Sequence, residues 1–156
     1  MAIREDLHER GSEINPHPEM IRSRQLAWLG VGAALLSMLT TRSVALQFIC
    51  LTLGAILFIM SAQRLPADTG SKGLPSRTTL VVLLGIAAAS FVLRFVLLLA
   101  VSTPASYADY MSETGPPATQ FIAANTTFFY LFSVLMMFGA SIGAALALFG
   151  RKQRTA

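Results

Sequence analysis

Apolar and polar positions do not alternate along this chain; they separate into blocks. Four long apolar runs, residues 25–41, 44–63, 79–103 and 121–149, are divided by shorter stretches that hold nearly every charge. A helix rises 1.5 Å per residue, so about 20 apolar residues cross a hydrocarbon core. Lipid offers no partner for open backbone amides, and four runs cannot close a barrel, so each run is predicted as a transmembrane α-helix. Together the runs contain no Asp, Glu, His or Lys, and Arg94 is their one Arg.

The connections differ in character. Two residues separate the first two runs, which reads as a tight helical hairpin. Pro66, Gly70, Gly73 and Pro75 mark the stretch 64–78 as an exposed irregular linker. In the loop 104–120, Tyr107, Tyr110 and Met111 recur at helical spacing after Pro104, while Asp109 and Glu113 fall on another face. This predicts a short interfacial helix, stopped by Gly115-Pro116-Pro117, whose tyrosines form an aromatic belt or, alternatively, a docking contact for a partner. The arm 1–24 mixes acids and bases and has too few apolar residues for its own core, so it orders only against something else. Residues 150–156 form a basic tail, and no internal repeat is visible.

Composition agrees with this class. The chain of 156 residues is 54% hydrophobic and 13% charged, about half the charged share of a soluble domain. Its excess of base then reports orientation rather than a nucleic-acid partner. Arg4, Arg10, Arg22, Arg24, Arg64, Lys72, Arg77, Arg151, Lys152 and Arg154 fall on one side of the predicted topology, against Arg42 on the other. The expected fold is therefore an all-α membrane protein, an antiparallel bundle of four transmembrane helices with both termini cytoplasmic. Its expected location is the plasma membrane, with a bacterial source indicated. Arg22, Arg24 and Trp28 open the first span as a basic and aromatic anchor, and the acidic leader before it argues against a cleaved signal peptide.

Candidate chemistry is sparse. A single Cys50 makes no internal disulfide, and no Cys/His cluster has metal-ligand spacing. With no His in the spans, no haem or other cofactor is expected. Gly30 and Gly32 mimic the start of a dinucleotide fingerprint but follow no strand. Arg94, by contrast, is costly at depth and requires a partner. If the ends of the third and fourth spans are level, Arg94 lies beside Tyr130, with Asn125, Thr126 and Thr127 nearer the outer surface and Ser90 on its own face. An Arg reaching outward would find acceptors in Tyr130 and Asn125, or meet a partner's carboxylate, a lipid phosphate or an anionic ligand.

Packing chemistry is richer. Gly139 and Gly143 form a small-xxx-small track on the fourth span, continued by Ala140, Ala144 and Ala147, and Gly85 and Ala89 form another on the third. Close approach of those two spans at Gly85 and Gly139 is the expected use, and docking onto a partner helix the alternative. An enzyme needs positioned acids, bases, nucleophiles or a metal, and no such set assembles on one side of the bilayer, so the chain is not expected to be an enzyme. The expected function is that of an accessory or assembly subunit packed against a larger integral membrane complex and its lipids, respiratory complexes being an architectural analogy only. The alternative is a small transporter or channel with a polar site around Arg94 and Asn125.

Overall fold

The computed structural model describes residues 18–40, 42–67, 75–102 and 117–149, and every element in them is helical. The helices are α1 (Pro18–Leu39), α2 (Val44–Gln63), α3 (Arg77–Ser102), α4 (Pro117–Ala124) and α5 (Thr126–Ala147). Four are long. Of these, three contain spans long and apolar enough to cross a membrane: Val44–Gln63, Arg77–Ala100 and Thr127–Ala147. The chain thus has the build of a multi-pass membrane protein.

α1 departs from expectation at both levels. It starts at Pro18, not at 25, because its first turns belong to the bundle: Met20 and Ser23 are buried. Glu19, Arg22, Arg24 and Gln25 then leave an apolar run of roughly 14 residues, ~21 Å of helix against a core of about 30 Å. Its length in apolar residues alone does not make it a span.

Local signals set the helix starts. Pro18 and Pro117 occupy first helical positions, where the missing N–H has no intrahelical role and the fixed φ suits the turn. The Ser43 hydroxyl accepts from the Leu46 amide (3.4 Å) and the Ser76 hydroxyl from the Thr79 amide (3.2 Å), capping α2 and α3. Between α1 and α2, the Ser43 amide donates to the Thr40 carbonyl (3.0 Å) and closes the hairpin.

Packing follows a ring: α1 against α2, α2 against α3, α3 against α5, and α5 back against α1. Its interior is built mainly from small side chains, among them Ala27, Ala34, Ala87, Ala144 and Ala145, which let helix backbones approach. Two aromatics fill the middle. Phe58 of α2 lies against Gly30 of α1, and Phe91 of α3 lies against Gly54 of α2. The two rings meet with centroids 5.8 Å apart. A Cβ on Gly30 would stand 2.6 Å from the Phe58 ring, and one on Gly54 would overlap the Phe91 ring, so each glycine is a notch for the next helix's phenylalanine.

The outside is the more strongly apolar face in bulk. Leu29, Leu53, Val92, Phe128, Leu131 and Leu135 are all at least half exposed, Leu135 at 70%. In water such a continuous apolar surface invites association, whereas hydrocarbon accepts it without cost. Several hydroxyls turn back onto their own helix: Ser37 donates to the Ala34 carbonyl, Thr52 to Phe48 and Ser90 to Ala87. That geometry satisfies each O–H without a second helix.

Between α4 and α5 the last run is interrupted at Asn125, which has φ −116° and ψ 23°. The Phe121 carbonyl accepts both the Asn125 amide (3.2 Å) and its side-chain Nδ2 (2.9 Å). A side chain that competes for its own helix's carbonyl bends the helix there.

Candidate functional site

The node at Arg94 is assembled by α3 and α5. Arg94 is 7% exposed, and its guanidinium carbon stands 4.3 Å from the centroid of the Tyr130 ring. Its Nη1 donates to the Ser133 hydroxyl (3.0 Å), which in turn donates to the Tyr130 carbonyl (2.9 Å). Tyr130 and Ser133 are one helical turn apart on α5, so a ring face and a hydroxyl are presented together to the facing helix. The hydroxyl accepts from the cation on one lone pair and gives its proton to the backbone.

Glu19 is the one carboxylate side chain among the described residues, and it stands at the start of α1. The positive charge of Arg94 is therefore met by a quadrupole and a dipole rather than by an anion. Cation–π contact contributes about 0.5–2 kcal/mol, more when desolvated, which offsets part of the cost of holding an Arg at depth. The arrangement holds a charge in place; it supplies no base or nucleophile.

Depth matching thus places Arg94 beside Tyr130 as expected, and Ser90 is buried on the same helix as expected. The outward reach is corrected. Arg94 turns to Ser133, which lies beyond Tyr130 from the Asn125 end of α5, and the Asn125 amide is turned back onto Phe121. Thr127 is exposed. Ser133 was missed by sequence reasoning, although its i+3 relation to Tyr130 is a signal that could have found it. Tyr107 and Tyr110 lie outside the described residues, as do most of the arm 1–24 and the tail 150–156.

The small-residue tracks are corrected in part. Gly85, Ala89, Gly139 and Gly143 all point away from the interior, and an added Cβ at any of the three glycines meets nothing within 4 Å. The alanines of the fourth-span track do face inward: Ala144 is buried, and Ala140 and Ala147 pack against the core. The close glycine contacts lie elsewhere, at Gly30 and Gly54.

A second polar feature lies at the opposite end of the bundle. Arg24 Nε donates to the Leu148 carbonyl (2.8 Å), and its guanidinium carbon stands 5.0 Å from the centroid of the Phe149 ring. Trp28 meets the same ring edge-on at 6.3 Å. A cation at the carbonyl end of α5 satisfies an orphan acceptor and complements the helix dipole. Nearby, Ser23 and Ser61 donate reciprocally to each other's carbonyls (2.9 Å each), with their hydroxyl oxygens 3.0 Å apart.

Compared with protein-family models, with characterised proteins and with solved structures, the chain matches none. What the fold defines is a class, the multi-pass helical membrane proteins, through its three long apolar helices.

Proposed function

We propose that the chain is a non-catalytic integral membrane subunit that docks on a larger membrane protein complex and contributes contacts and assembly. The observation that carries the reading is the outward direction of both small-residue tracks, Gly85 with Ala89 and Gly139 with Gly143. Such tracks allow a foreign helix to approach backbone to backbone, a contact that bulky lipid-facing residues prevent.

In this reading all four long helices cross the bilayer as an antiparallel bundle with both termini cytoplasmic. Contacts between helices support that topology. Ser23 at the start of α1 meets Ser61 at the end of α2, Phe48 near the start of α2 meets Phe95 late in α3, and Arg24 meets the end of α5. Arg22, Arg24, Arg64 and Arg77 then share one end of the bundle, and Arg42 has the other. That asymmetry fits a positive cytoplasmic face, and the plasma membrane of a bacterium is the setting we assign.

A second reading, a small transporter or channel, draws on the break at Asn125, since interrupted helices line transport sites. Purification in mild detergent followed by native mass spectrometry separates the two. A subunit co-migrates with a larger complex, and Gly139→Ile with Gly143→Ile removes it from that complex while leaving it inserted. A free monomer or homo-oligomer that changes solute flux in proteoliposomes overturns the reading.

A further inference from the structure

Beside the Arg24 cap lies a groove of about 700 Å³, lined by Ile21, Arg24, Gln25, Trp28, Leu29 and Phe149. Its walls are apolar and open to the outside: Leu29 and Phe149 are more than half exposed, and Ile21 and Trp28 more than two-fifths. Its polar groups are concentrated at Arg24 and Gln25. We propose that this groove binds an anionic phospholipid, the phosphodiester headgroup against Arg24 and an acyl chain along Trp28 and Leu29.

Three observations converge on that occupant. The Leu148 carbonyl takes only the Nε of Arg24, and among the described residues no other hydrogen-bond acceptor meets its guanidinium. The Nη groups form a planar pair of donors of the kind that matches a phosphate. Among the described residues no acid lines the groove, and Arg22 is exposed two residues before Arg24. Trp28 and Phe149 also stand where an interfacial belt requires amphipathic or aromatic rings, at the base-rich end of the bundle.

The inference rests on the membrane orientation given under Proposed function, and the test distinguishes their failures. Trp28 is the chain's one tryptophan, so its emission reports this groove alone. The full chain is reconstituted in phosphatidylcholine vesicles containing equal fractions of chain-brominated phosphatidylglycerol or chain-brominated phosphatidylcholine. The expected result is a relative association with the anionic lipid about fivefold higher, as one basic residue near a surface supports. Arg24→Gln brings the two lipids to parity, Gln25→Lys raises the preference, and Arg42→Gln at the other end leaves it unchanged. Equal quenching by both lipids in the wild type, or a preference untouched by both Arg24→Gln and Gln25→Lys, overturns the lipid site while the membrane reading stands. Absence of quenching by either lipid removes Trp28 from the bilayer and overturns both.

Discussion

The guanidinium carbon of Arg94 lies over the face of Tyr130, 4.3 Å from the ring centroid, where neither helix brings an acid to it. A buried cation held by a quadrupole has a distinctive mutational signature. Tyr130→Phe keeps the ring and behaves as wild type, because the phenol hydroxyl takes no part in the stacking. Tyr130→Leu removes about 0.5–2 kcal/mol. Ser133→Ala removes one neutral acceptor, a loss of about 0.6 kcal/mol and at most ~1.7 for an interhelical bond in lipid. A double-mutant cycle between Arg94→Leu and Tyr130→Leu, read by denaturation in mixed micelles, returns a coupling of the same 0.5–2 kcal/mol. A coupling near zero shows that the two merely lie side by side.

How much of this node was legible in sequence depends on which coordinate is considered. Depth was legible, because apolar runs joined by a polar loop have level ends, and that alone brings Arg94 to Tyr130. Rotation about the helix axis was not. Gly143 points outward and Ala144 inward, yet both are small and apolar, so nothing in their chemistry separates the two faces. In a soluble helix a polar stripe would have marked the outside; here the outside is Leu, Ile, Val and Phe. The start of α1 was illegible for a related reason, since Met20 and Ser23 are interior residues set among Glu19, Arg22 and Arg24.

The glycine notches give the most discriminating packing prediction. Gly54→Ala drives a methyl into the ring of Phe91, which is fully buried and braced by Phe58, and overpacking of this sort costs about 1–3 kcal/mol. Pairing Gly54→Ala with Phe91→Leu restores most of the loss. Gly85→Ala and Gly139→Ala, where a methyl meets nothing, leave the isolated chain at wild-type stability or slightly above. If all three substitutions cost the same, the notch at Gly54 is not what positions α3 on α2.

Ser23 and Ser61 allow α1 to be located by chemistry. Their hydroxyl oxygens are 3.0 Å apart, and a disulfide needs its sulfurs at about 2.05 Å with the Cβ atoms roughly 3.5–4.5 Å apart. In a chain whose native thiol is removed by Cys50→Ala, Ser23→Cys with Ser61→Cys forms an intramolecular disulfide on mild oxidation. Intact-mass measurement before and after reduction reads it as a loss of two hydrogens. Failure to cross-link, while a control pair within α2 and α3 succeeds, separates the start of α1 from the end of α2.

Ser141 departs from the pattern of its neighbours. Its hydroxyl is fully buried on α5 with no hydrogen-bond partner among the described residues, although Ser37, Ser90 and Ser133 all return their protons to a carbonyl three residues back. An unpaired buried hydroxyl costs roughly 1–3 kcal/mol relative to a satisfied one, whereas an alanine in the same space carries no such penalty and forms helix more readily. Ser141→Ala therefore raises the stability of the isolated chain by about 1 kcal/mol, measured by the same micellar denaturation. Ser133→Ala, about two helical turns away and similarly buried, moves stability the other way because its oxygen is engaged by Arg94. Two chemically identical substitutions on one helix with opposite signs locate the polar bond that α3 and α5 share. Destabilisation by both would mean that a rotamer change gives the Ser141 hydroxyl an acceptor within the chain.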